Sequence, residues 1–135
     1  MNSLKIRLPG FTLIELLVVL VIIGILILLA LPNLMPLISS AKSTEAKLQL
    51  EHLYTLEKTY FYMHSKYSES FTEIGFEQVK LTTDNGSANY KIEIIQAKNN
   101  AFKAVATAVV DFDGDGVFNV WEIDQEKNLK EVTSD

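Results

Sequence analysis

Asp111-Phe112-Asp113-Gly114-Asp115-Gly116, followed by Asn119 and Glu122, is the stretch whose residue types and spacing could do chemistry. It fits the calcium-loop pattern D-x-[DN]-x-[DN]-G-x5-E in full, with Asn119 at the ninth position. Calcium takes roughly six to eight oxygen ligands, and alternate Asp side chains on a tight loop converge on one centre. Gly116 permits the sharp turn, and Glu122 can close the far side with two oxygens. The pattern therefore points to Ca2+ held by Asp111, Asp113, Asp115, Asn119 and Glu122. The flanks read as strands, so this is not a helix–loop–helix hand. Asp and Gly are also the residues of hairpin turns, which leaves an unliganded turn as the competing reading.

A second carboxylate stands in an unusual place. From Phe11 to Leu31 the chain runs twenty-one residues broken only by Thr12 and Glu15, and the sixteen from Leu16 carry no polar side chain. A helix of that length spans roughly 31 Å, about the hydrocarbon thickness of a bilayer. The run shows no helical period, which argues for a membrane and against a buried core helix. An unpaired carboxylate near its start costs on the order of 2–3 kcal/mol, so Glu15 needs a partner or a role. The preceding segment, MNSLKIRLPG, holds Lys5 and Arg7 and no acidic residue. A secretory signal is cut after its apolar region, whereas the small residue here, Gly10, comes before it.

Gly10-Phe11-Thr12-Leu13-Ile14-Glu15, continuing along the apolar helix through Gly24 and Pro32, resembles the type IV pilins and the pseudopilins of type II secretion. The resemblance is close over about thirty residues and then becomes one of layout. It implies a prepilin peptidase that cuts between Gly10 and Phe11 and methylates the new amino terminus. It also implies that Glu15 pairs with the terminal amine of a neighbouring subunit, and two charges in an apolar bundle are tolerable as such a pair. Phe11, Glu15, Gly24 and Pro32 are thereby the assembly residues, with Gly24 to Pro32 a stretch able to melt when subunits pack. The implied partners are further copies in a helical filament, the peptidase and an inner-membrane assembly platform. The implied location is a single-pass bacterial inner-membrane precursor, then an extracytoplasmic filament.

These residues need a scaffold to position them. Residues 1–10 read as a leader, 11–38 as the membrane and filament-core helix, and 39–135 as one globular domain. Pro32 and Pro36 each remove a backbone donor and should interrupt or kink the helix. Beyond them Ala46, Leu50, Leu53, Leu56, Tyr60, Met63 and Tyr67 recur at helical spacing as one apolar stripe. His52 and His64 are twelve residues apart, about 120° round the helix, and should not share a metal. Helix character should end near Tyr67, and 67–76 reads as a loop with Phe71, Ile74 and Phe76 tucked inward. Asp84-Asn85-Gly86 is a turn signal. Strands are expected at 90–94, 102–110, 117–123 and 129–132. The fold class is α+β and pilin-like: a long hydrophobic helix continuing into an amphipathic one, packed on a small antiparallel sheet.

Composition narrows the function. There is no cysteine, so no disulfide can staple the small domain. Twelve basic against seventeen acidic residues give −5, and loss of Lys5 and Arg7 with the leader would give −7. That balance argues against direct nucleic-acid binding. No catalytic triad, phosphate loop, dinucleotide fingerprint or HExxH is present, which argues against an enzyme. Three functions compete: a pilus subunit, the major pseudopilin of a type II secretion system, and a membrane-tethered calcium-binding module that never polymerises.

Overall fold

The computed structural model describes residues 9–135, and of Pro32 and Asn33 the backbone only. Lys5 and Arg7 of the expected leader lie outside the described residues. One helix, α1 (Leu13–His64, 52 residues), accounts for most of the helical structure. Its contacts divide the chain into a unit ending at Leu34 and a second from Met35 to Asp135.

In the first unit, nineteen residues, Leu13–Leu31, have a mean hydropathy of 3.3 and none is buried. The helix is long and apolar enough to cross a membrane. The helix is not interrupted: α1 is helical through Pro32 and Pro36. Each proline removes a single donor, and a helix already propagating on both sides can absorb one missing hydrogen bond. Gly24 is likewise helical.

The second unit sets α1 beside a four-stranded antiparallel meander, ordered β1-β2-β3-β4. The strands are β1 (Tyr90–Ala97), β2 (Phe102–Ala108), β3 (Val120–Asp124) and β4 (Leu129–Thr133). The core forms where two periodicities meet. Ala46, Leu50, Leu53 and Tyr60 come from one face of α1, and Tyr90, Ile92, Phe102, Ala104, Ala106 and Ile123 from alternate strand positions. Burying large apolar side chains of this kind contributes roughly 1.5–3 kcal/mol each. Glu45 fastens the start of β1 to α1, accepting from the backbone and side-chain nitrogens of Asn89, both at 2.8 Å.

Three expectations are corrected. The loop 67–76 contains a short helix, α2 (Phe71–Ile74), closed by Gly75 at φ 73°. There the amides of Gly75 and Phe76 bond back to Thr72 and Phe71, a capping geometry that favours glycine. Met63, read as part of the stripe, is exposed. Val117 and Phe118, read as strand, lie in the acidic loop and are exposed; β3 starts at Val120.

Candidate functional site

At the start of α1, Thr12 and Glu15 cap each other. The Thr12 amide donates to Glu15 Oε2 at 2.7 Å, and the Glu15 amide donates to Thr12 Oγ1 at 3.3 Å. This is a capping box, which satisfies two of the donors that a helix start leaves orphaned. Phe11 is 84% exposed, and a Cβ built on Gly10 would meet nothing within 4 Å. The bond between Gly10 and Phe11 is thus sterically open. Glu15 has its carboxylate one residue from the amine that a cut there would create.

The acidic loop folds around Asp111. Its Oδ1 accepts the Gly114 amide at 2.6 Å and its Oδ2 the Gly116 amide at 2.7 Å. Gly114 and Gly116 have φ of 81° and 87°, which turns successive amides inward. Asp113 accepts from the Asp115 amide at 3.0 Å, and Asp115 from the Val117 amide at 2.7 Å. A fourth carboxylate joins from the far end of the chain: Asp135 accepts the amides of Phe112 at 2.9 Å and Asp113 at 3.3 Å. Oxygens of Asp111, Asp113, Asp115 and Asp135 all lie within 4.8 Å of one another.

Electrostatics follow from that crowding. The Gly116 amide, helped by Gly114, holds the Asp111 carboxyl below the usual range. The Asp115 amide would lower Asp113 too. Lost hydration and the charges of Asp115, Asp135 and Asp111 outweigh it, and Asp113 is raised.

The structure brings together Asp111, Asp113 and Asp115 but not the other two residues of the pattern. Asn119 is fully buried; it accepts from the Tyr90 hydroxyl at 2.7 Å and donates to Glu131 at 2.6 Å and to the Thr133 carbonyl at 2.9 Å. It ties β1 to β4. Glu122 sits on β3 between Trp121 and Ile123, and strand alternation sends it to the opposite face. There it pairs with Lys130 at 2.8 Å and Lys103 at 3.8 Å. The gap is filled by Asp135, which no motif spacing could reveal.

As a donor set, three carboxylates from the loop and a fourth from Asp135 after β4 suit a hard cation such as calcium. Each is already oriented by a backbone amide and keeps lone pairs free. His52 and His64 are both exposed and belong to no such group among the described residues. Beside the loop, Ser39, Ser43, Lys47, Trp121 and Asp135 line an open groove of about 310 Å³. Lys47 lies over the Trp121 ring at 4.5 Å.

A long apolar helix with an exposed membrane-length face, running into an α+β domain with a small antiparallel meander, defines a pilin-like protein. Residues 9–31 match the family of the prokaryotic N-terminal methylation motif. The chain is also similar to the type IV major pilin protein PilA of Myxococcus xanthus (strain DK1622), 48% identical over 67 residues. That alignment covers 50% of this chain and 30% of the relative, so the chain spans about a third of the relative's length. Together the motif and the relative support the type IV pilin family.

Proposed function

We propose that this chain is a structural subunit, a pilin, of a type IV pilus-like filament. It is made as a single-pass membrane precursor and assembled through α1 after cleavage between Gly10 and Phe11. The observation that carries the reading is the nineteen-residue apolar segment with no buried position, headed by the methylation motif. Outside a bilayer such a surface is stable only against other apolar surface, and further copies of the same helix supply it. The test is intact-mass spectrometry of sheared filaments. A subunit beginning at N-methylated Phe11 is expected, and filament subunits that retain residues 1–10 would overturn the reading. Deletion of the chain separates pilus from secretion pseudopilus: the first loses surface fibres, the second stops exporting enzymes.

A further part of the proposal is that the acidic loop holds calcium. Its support is the convergence of Asp111, Asp113, Asp115 and Asp135, while Asn119 is held by Tyr90, Glu131 and Thr133 and Glu122 by Lys130 and Lys103. Bound there, calcium would neutralise four crowded carboxylates and join the loop to the end of the chain.

A further inference from the structure

A pair of carboxylates, Glu57 and Glu73, lies where α1 meets the segment 67–76. Glu57 has no exposed surface and is the one charged residue so buried among the described residues. Its Oε2 accepts the Ser68 amide at 3.0 Å, while its Oε1 is buried with no partner. Ser68, itself buried, gives its hydroxyl to Glu73 of α2, and the Tyr60 hydroxyl reaches the same oxygen at 3.4 Å. One serine is thus held by two carboxylates from two elements.

The groups around Glu57 offer it no positive charge. From α1 comes the Tyr60 hydroxyl, with His64 against the Tyr60 ring at 4.2 Å. From the segment come Ser68 and Tyr67, and from α2 comes Glu73. From the sheet, Phe102 stacks on Tyr67 at 5.6 Å. Lys58, the next residue, directs its ammonium to the Tyr67 hydroxyl at 3.3 Å, among the rings of Tyr54, Phe61 and Tyr67. No ion pair reaches Glu57 among the described residues. A carboxylate buried without a counter-charge is relieved most readily by taking a proton.

We propose that Glu57 is a proton-operated latch: protonated, it lets the segment 67–76 seat on α1, and on ionising it loosens that segment. Burial pushes the Glu57 carboxyl up, the Ser68 amide draws it down and the Glu73 charge raises it again, to about 7. A folded-state value above the ordinary 4.5 means that the docked state binds the proton more tightly. Docking is therefore strongest below the ordinary value and weakens as pH rises through 7. What loosens is not trivial, because Ile74 and Phe76 of this segment are buried in the core and Phe71 packs against it.

The test uses the full chain in detergent micelles, with the Glu57 side-chain carboxyl followed by 13C NMR from pH 4 to 9. Amide exchange at Ser68, Ile74 and Phe76 is measured in parallel and corrected for intrinsic chemistry. The carboxyl is expected to titrate near neutrality, and protection at these amides to fall about tenfold or more between pH 5 and pH 8. Glu57→Gln should remove that pH dependence, and Glu73→Gln should move the midpoint down by removing a like charge. A Glu57 carboxyl titrating in the ordinary carboxylate range would overturn the proposal, and so would Glu57→Gln with an unchanged pH profile. If that variant does not fold, the wild-type titration decides alone.

Discussion

Glu15 can serve one subunit or two, and single substitutions tell these roles apart. Within one chain it closes the box with Thr12, a cap worth about 1 kcal/mol. Between chains its role would be charge: a carboxylate removed from an apolar bundle leaves a partner amine unpaired at roughly 3–5 kcal/mol. Glu15→Gln can keep the box but not the charge, and Glu15→Val keeps neither. Both variants should be processed normally, yet both should give few filaments when counted by electron microscopy against immunoblotted subunit. Filament yield near wild type in Glu15→Gln would mean that capping, not charge pairing, is what Glu15 supplies. Asn119 gives a second residue-scale prediction. Asn119→Ala strands the buried Tyr90 hydroxyl, at about 1–3 kcal/mol for the lost bonds. Its melting temperature should fall by several degrees, equally with calcium and with chelator, because Asn119 touches structure and not the ion.

At the scale of elements, α1 does two jobs along one helix. Its first part is apolar all round and has no face; its second, from Met35, presents a stripe to the sheet. The stripe includes Glu57, three or four residues from Leu53 and Tyr60, so a charge sits where the period asks for an apolar side chain. The turn before β1 is held by a close approach. A Cβ on Gly86 would fall 1.9 Å from the Lys80 carbonyl oxygen, whereas one on Gly114 would meet nothing. Gly86→Ala must therefore shift the 80–88 turn, which the Ser87 and Ala88 amides bind to the same carbonyl. By thermal melts it should be the more destabilising of the two, by about 1 kcal/mol or more. Gly114→Ala faces only the strain of its positive φ.

For the molecule as a whole, the core is small and no disulfide reinforces it. A bound ion would add RT ln(1 + [Ca]/Kd), about 2.7 kcal/mol at a hundredfold excess over Kd. For a unit of this size the melting temperature should rise by about 10 °C in calcium, read from Trp121 fluorescence beside Asp135. Asp113→Ala with Asp115→Ala should abolish the rise, and Asp135→Asn should reduce it. Glu122→Gln should leave it intact, since Glu122 faces Lys130 on the other side of the sheet. Magnesium should substitute poorly because its smaller shell demands octahedral geometry. Equal melting in millimolar calcium and in chelator would leave only the hairpin turn.

Elements whose signals are local are legible in the residues alone. The apolar run, the glycine before Phe11, the stripe from Ala46 to Tyr60 and the alternation of Tyr90, Ile92 and Ile94 each lie within one continuous window. Hydrophobic periodicity is a property of such windows, which is why the α+β architecture could be read from them. The continuity of α1 through its prolines could not, because a local rule prices one lost donor without the helix on either side. The ligand set and Glu57 escaped for a different reason. Whether Glu122 shares a loop with Asp111 depends on where β3 begins and hence which face its side chains take. A one-residue change of strand register exchanges those faces. Asp135 is brought to the loop by the return of β4, a contact 22 residues apart in sequence with no spacing rule behind it. Glu57 lost its water only when Ser68 and α2 closed over it; burial, and with it the proton affinity of a carboxylate, is decided by packing.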